Sequence, residues 1–369
     1  MTRVDQAVSF VIPVYNGEEW LDAVLQSVLA QADGRPMEIL AIDDGGSDGS
    51  AAILERYRAA GQISVIAGPR QGATAALNEG VRQASHPIIC QVDQDVILEP
   101  GWMAHLTETL RDTTIGAAQG YYVTPPDGGP WARVMGLDLE NRYAAIGDRD
   151  VDHVCTGNTA YRADALREVG LFDERLGYGY DNDMSYRLAA FGYRLVIRPQ
   201  ARSIHRWREG WRSFLVQQYG FGYGRLDLVA KHRGSRVRGD DVSGLWMMLH
   251  APLMGLVVAA LSVAVLMVLA GASPIVPLII AAATFGGLAL ERLVAGLRAA
   301  LAFRDPAGLL FVPMHLARDL AWVAAIIVWT ARRLRGLAPR PTDSMHPRSA
   351  SRPRAANTRG CHFAARRTR

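Results

Sequence analysis

From Leu245 to Ala270 the chain runs for 26 residues without a formally charged side chain. At 1.5 Å per residue a helix of that length reaches about 39 Å, enough to cross a hydrocarbon core of about 30 Å with some tilt. The run therefore predicts a membrane-spanning helix. Pro274 to Leu290 adds 17 uncharged residues before Glu291-Arg292, a second span at the lower limit of length. A third apolar segment, residues 307–330, is interrupted by His315, Arg318 and Asp319. It reads best as an interfacial helix, with a third span as the alternative.

The net charge of +4 conceals a segregation that bears on orientation. Residues 1–197 hold 15 Arg against 28 acids, net −13, and residues 198–239 hold ten cations against two acids, net +8. Residues 240–331 come to −1, and residues 332–369 hold 11 Arg against one acid, net +10. A nucleic-acid-binding module would carry its basic charge on the folded domain, which here is acidic, so nucleic acid is excluded as a partner. Arg-rich flanks collect on the cytoplasmic side, and two such flanks on one side require an even number of crossings. The expectation is a multi-pass protein of an inner or plasma membrane, with spans at about 245–270 and 274–290 and the N-terminal domain in the cytoplasm. No secretory signal is expected, because the first apolar run is broken by Pro13. Cys90, Cys155 and Cys361 lie too far apart for a CxxC pair and are too few for a disulfide scaffold, which suits a reducing compartment. The tail, residues 332–369, reads as basic and disordered.

Up to about residue 200, short apolar runs alternate with segments of helical period, the pattern of an α/β fold with a mainly parallel sheet. Strands are expected at Val8 to Val14, Glu38 to Ile42, Ile63 to Ala67 and Pro87 to Val92, with helices between them. Each strand ends in polar residues: Tyr15-Asn16, then Asp43-Asp44-Gly45-Gly46-Ser47-Asp48, then Gly68-Pro69-Arg70, then Asp93-Gln94-Asp95. In an open parallel sheet these ends share one edge, where ligands bind. Carboxylates at i and i+2, such as Asp93 and Asp95, suit a hard divalent cation, Mg²⁺ or Mn²⁺, completed by phosphate oxygens and water. The Asp43 cluster is expected to do more than cap the following helix, since capping accounts for one acid rather than three. Gly72 to Gly80 opens a helix whose N-terminus favours an anion.

Taken together and in order, these segments resemble the family 2 glycosyltransferases, inverting nucleotide-sugar enzymes with a GT-A, Rossmann-like fold. The resemblance covers roughly residues 8–210. Val8 to Asn16 looks like the opening strand, the Asp43 cluster like the DDGSxDG segment, and Gly72, Ala76, Asn78 and Gly80 like the GxxxAxNxG helix. Asp93 and Asp95 look like the DxD motif, Thr156-Gly157-Asn158 like the acceptor-side segment, and Gly179 to Leu188 like GEDxDLxxRL. The resemblance implies that Pro13, Tyr15, Asp43, Asp44, Arg70, Asn78 and Asp93 hold the donor nucleotide and that Asp95 and His205 hold the cation. It likewise implies Asp181 as base, with Gly157, Asn158, Tyr180 and Asp183 on the acceptor side. Asp183 has an alternative reading as the start or cap of a helix.

Two positions depart from the pattern: Tyr180 stands where the family has Glu, and Leu77 where it has Arg. The QxxRW segment of processive members is absent between Trp211 and Arg225, which points to single addition. Residues 211–243 resemble an amphipathic, basic interfacial segment, and residues 244–331 the membrane region. The expected function is transfer of a sugar from a nucleotide-diphosphate donor to a lipid-linked or membrane-proximal acceptor by single displacement. The competing reading, raised by Tyr180, is an inert nucleotide-sugar-binding membrane protein. A nucleotidyltransferase is disfavoured, because Asn16-Gly17-Glu18-Glu19 puts acids where a triphosphate loop needs cations.

Overall fold

The computed structural model describes residues 7–147, 149–232 and 239–337. The run VSFVIPV forms β1 (Val8–Val14), buried along nearly its whole length because it pairs on both sides. Its parallel neighbours are β2 (Met37–Asp43) and β4 (Ile88–Val92), and β3 (Ser64–Ala67) extends the sheet beyond β2. The chain thus leaves β1 on both flanks, which opens a crevice at the carboxyl ends of these strands. Beyond β4 the sheet becomes mixed. β8 (Asn158–Arg162) runs antiparallel between β4 and β6 (Ile115–Val123), followed by β9 (Arg194–His205) and β5 (Val96–Leu98). The two-residue β7 (Asp150–Val151) pairs with β9. The α/β, mainly parallel first half and its strands are as the apolar runs predict.

Helices α1 (Leu21–Leu29), α2 (Ser50–Ala59) and α3 (Ala73–Gln83) connect the first four strands. α1 begins at Leu21, after a turn held by Gly17 and Glu18, which donate their backbone N–H groups to the Ser50 hydroxyl and the Asp48 carboxylate. α4 (Trp102–Thr109) and α5 (Pro130–Ile146) flank β6, and α6 (Ala163–Glu168) and α7 (Tyr180–Ala190) lie between β8 and β9.

α8 (Trp211–Lys231) leads to three helices, each long and apolar enough to cross a membrane: α9 (Leu245–Leu269), α10 (Ile275–Phe303) and α11 (Phe311–Leu334) with its preceding 3-10 turn Pro306–Leu310. The charges in the third segment do not interrupt it. Arg318, Asp319 and His315 are buried, and Arg318 and Asp319 pair with each other and with Arg292 of α10 and Asp138 of α5. Along α9 and α10, by contrast, Leu261, Val265, Leu266, Ile275, Val276, Ile279 and Leu290 are exposed.

Within residues 211–243, α8 packs on two opposite sides, against the α/β half and against α11. Gly220 and Gly224 abut Tyr178, and a Cβ on Gly220 would stand 2.3 Å from the Tyr178 ring. Gly222 faces the other way, toward Trp322 and Ala325. Two of its cations pair with acids: Arg225 with Asp240 at 3.1 Å, and Lys231 with Asp173 at 2.7 Å and Asp183 at 2.5 Å. Gly220→Val is expected to lower stability by about 1–3 kcal/mol through overpacking, read as a lower thermal midpoint, whereas Gly286→Val on open surface is expected to change it little. The disordered-tail expectation lies mostly outside the described residues.

Candidate active site

Two cavities meet at the Asp93-Gln94-Asp95 turn. The larger, about 1690 Å³, is lined by the ends of the parallel strands: Pro13, Tyr15, Asp44, Arg70, Gly72, Asp93 and Asp95 among others. Gln94, between the two acids, fixes this edge by accepting from the Tyr15 N–H at 2.8 Å and donating to the Tyr15 carbonyl at 2.9 Å. Asp44 accepts the backbone N–H groups of Arg70 at 2.6 Å and Gly72 at 3.0 Å, tying the loop before α3 to β2. Burial nevertheless raises its pKa.

Asp93 is enclosed. Gln91 donates to it at 2.7 Å, and Gly157, at φ +86°, leaves room that a Cβ would take, 2.3 Å from an Asp93 oxygen. Burial, reinforced by the charge of Asp95, pushes the Asp93 carboxyl up to about 6. Burial would raise Asp95 too, but the neighbouring His205 and Arg208 outweigh it and hold Asp95 below its usual range. His205 Nε2 is 3.4 Å from Asp95, and its ring meets the Trp207 ring edge-on at 3.8 Å. Two close carboxylates beside an imidazole repel each other until a cation joins them, and an oxygen-rich set of this kind suits Mg²⁺ or Mn²⁺. Asp95, His205 and Asp93 would hold that cation.

The second cavity, about 470 Å³, shares Asp93, Asp95, Tyr180, Trp207 and Arg208 with the first. It extends away from the strand ends to Asp181, Gln217, Arg225, Met247 and Trp322, between the sheet domain and the apolar helices. Asp181 sits in the first turn of α7, after Gly179 at φ +75°. One Asp181 oxygen accepts from the Asn182 N–H at 2.9 Å, and the other stands 3.6 Å from His153 Nε2. Tyr180, in place of Glu, lines both cavities and packs edge-on against Phe172.

Several residues expected at the site hydrogen-bond within the protein and line neither cavity. Asn78 is buried; its amide donates to the Phe172 carbonyl and Glu174, and its oxygen accepts from the Phe172 N–H, clamping the segment before α7. Asn158 lies under the sheet surface and accepts from Trp102 Nε1 at 2.5 Å. Asp183 is fully buried and bonded to Arg187, Lys231 and His232, so it joins α7 to the end of α8. Gly157 supports Asp93 rather than touching either cavity. Asp43 turns back to the Gly45 N–H at 3.0 Å and does not line the cleft. All three acids of that cluster have backbone N–H partners, Asp48 serving both Glu18 and Ser50, so local turn-making accounts for more of them than expected.

Sequence reasoning passed over His153, Cys155, Arg208, Gln94 and Arg225. The signal for the first two was present: Asp152-His153-Val154-Cys155 directly precedes Thr156-Gly157.

The geometry agrees with comparisons to known proteins. Residues 9–170 match the family described as "Glycosyl transferase family 2". Over that stretch the chain is similar to the family 2 glycosyltransferases. The "Pre-mycofactocin glycosyltransferase" of Mycobacterium tuberculosis is 29% identical over 235 residues, 61% of this chain and 48% of that protein. The chain thus spans about half the length of that relative. The "Glycosyltransferase AglE" of Haloferax volcanii is 28% identical over 67% of this chain and 82% of its own. Among solved structures, the fold resembles the mannosyltransferase PcManGT from Pyrobaculum calidifontis, in complex with GDP-Man and Mn²⁺. The TM-score is 0.56 at 18% identity, covering 88% of this chain and 86% of that one.

Proposed function

We propose that the protein is a membrane-attached inverting glycosyltransferase that moves a sugar from a nucleotide-diphosphate donor to an acceptor presented at the membrane. The observation that carries this reading is the junction of the two cavities at Asp93 and Asp95, with Asp181 in the second. A donor in the first cavity places its diphosphate at the carboxylate pair. A divalent cation held by Asp95, His205 and Asp93 supplies neutralisation of the leaving diphosphate. The reading gains support from the similar fold solved with GDP-Man and Mn²⁺. Tyr15, Asp44 and Arg70 border the nucleotide end. Asp181 takes the proton of an attacking hydroxyl from the acceptor side, and attack opposite the leaving group inverts the anomeric centre.

The second cavity fits an amphipathic, lipid-linked acceptor. Phe214, Met247, Met248 and Trp322 give it apolar walls next to the membrane-capable helices. Buried polar atoms of His153, Trp207, Gln217 and Arg225 face no hydrogen-bond partner among the described residues, and all four side chains line this cavity. Such groups call for a polar ligand or water. Release of nucleoside diphosphate from a panel of nucleotide sugars, with Mn²⁺ and a polyprenyl-phosphate or glycolipid acceptor, tests the function. No release with any donor, alongside thermal stabilisation by a nucleoside diphosphate, would return the protein to the inert binding reading; no stabilisation by any of them would overturn both readings.

For topology, α9 and α10 fit an inserted hairpin, because their apolar windows are 22% and 17% buried, against 44% for the segment containing α11, which lies along α8. A cysteine placed at Ala272, between α9 and α10, is expected to resist a membrane-impermeant thiol reagent added from the cytoplasmic side. One at Leu337 is expected to react. Labelling of both from that side would sink the hairpin.

A further inference from the structure

His153, Cys155 and Asp181 each offer a metal-ligating atom, and the three atoms lie within 4.8 Å of one another. A tetrahedral Zn²⁺ site has neighbouring donor atoms about 3.3–3.7 Å apart, given metal–ligand bonds of about 2.0–2.3 Å, so closing the set around an ion asks for a shift of roughly 1 Å. The arrangement is rigidly supported. Val154, between His153 and Cys155, is anchored in the core at 0% exposure. The Ser185 hydroxyl accepts from the Val154 N–H at 3.1 Å and donates to the Asp181 carbonyl at 2.8 Å, so one side chain ties both segments together. The Cys155 N–H is held by Gln119 at 2.6 Å.

A second observation points to a ligand. His153 is 5% exposed, and neither ring nitrogen makes a hydrogen bond among the described residues. Cys155 is a free thiol, with Tyr143 Oη 3.3 Å from its sulfur, placed to donate to a thiolate. All three residues line the second cavity, so an ion they held would keep a coordination position facing it.

We propose that His153, Cys155 and Asp181 form a transition-metal site, distinct from the Asp93/Asp95 site and selective for Zn²⁺ over Mg²⁺ and Mn²⁺. Selectivity follows from the donors: a thiolate and an imidazole favour Zn²⁺, whereas the carboxylate-rich site favours the harder ions. Binding replaces the Cys155 S–H bond with an S–Zn bond and releases that proton to solvent. Zn²⁺ also occupies an Asp181 oxygen, which makes the ion an inhibitor of transfer. This last consequence rests on Asp181 being the base; the binding itself does not.

The test uses the full chain in detergent, stripped with EDTA and reloaded with excess Mn²⁺, then dialysed against Zn²⁺. Wild type is expected to retain Zn²⁺, and Cys155→Ser and His153→Gln to bind it more than about 100-fold more weakly, a direct ligand costing at least as much as the outer-shell partners of a metal site. Co²⁺ in place of Zn²⁺ is expected to give a thiolate-to-metal charge-transfer band in wild type, Cys90→Ser and Cys361→Ser, and none in Cys155→Ser. Unaltered nucleoside-diphosphate binding with Mn²⁺ identifies variants that remain folded. Equal Zn²⁺ affinity in wild type and a folded Cys155→Ser, or a Co²⁺ spectrum without the band, overturns the site. Zn²⁺ binding that depends on Cys155 yet leaves transfer undiminished upholds the site and overturns the role of Asp181.

Discussion

Asp181→Asn is expected to lower kcat by about 10²–10⁴-fold with a hydroxyl acceptor, the usual range for removing a positioned base, while donor affinity stays near wild type. The separation follows from position. Asp181 lines the second cavity only, whereas the residues proposed to border the nucleotide lie along the strand edge of the first. Asn keeps the oxygen that accepts the Asn182 N–H, so the first turn of α7 is preserved and the loss is chemical rather than structural. Initial rates at saturating donor and acceptor, with calorimetric titration of the nucleoside diphosphate, measure both quantities. An undiminished kcat with a hydroxyl acceptor would overturn Asp181 as the base.

Arg292→Met is expected to cost about 3–5 kcal/mol of stability, the range for breaking a buried ion pair from one side. Arg292 is 1% exposed; it pairs with Asp319 of α11, bonds to Glu291 at 2.8 Å, and donates to the Leu288 carbonyl. Removing it leaves Asp319 with only Arg318, at 3.3 Å. Arg292→Met with Asp319→Leu removes both charges and is expected to regain most of the loss, since an apolar pair of similar volume can replace a buried ion pair. Thermal unfolding in detergent decides the matter. A double variant as unstable as the single would assign the effect to packing instead of charge.

The first four strands of the sheet were legible because each is a short apolar run followed by polar residues, and those ends meet at one edge because the four are parallel neighbours; β5 to β9, several of them polar or only two or three residues long, were not. The DxD turn was legible for the same reason. The partners of Asn78, Asn158 and Asp183 were not legible, because a motif states which residues recur together and not which way each side chain points. All three turn inward and hold segments of the scaffold, to Phe172, Trp102 and α8 respectively. His153 was passed over because its neighbour Asp181 lies 28 positions away in sequence and becomes adjacent only when α7 packs beside the segment before β8.

By itself the sequence determined the division of this protein into an acidic α/β domain and an apolar helical region, because hydrophobic period and charge are local properties that burial must respect. It also determined the carboxylate pair at the end of β4. Only the tertiary structure decided what the glycines of α8 are for, where the charges of the third apolar segment go, and which acids face the cavities. Those questions turn on contacts between residues far apart in the chain. The Gly220, Gly222 and Gly224 series looked like part of a membrane-surface helix until the fold placed Tyr178 on one side and Trp322 on the other, where a Cβ has no room.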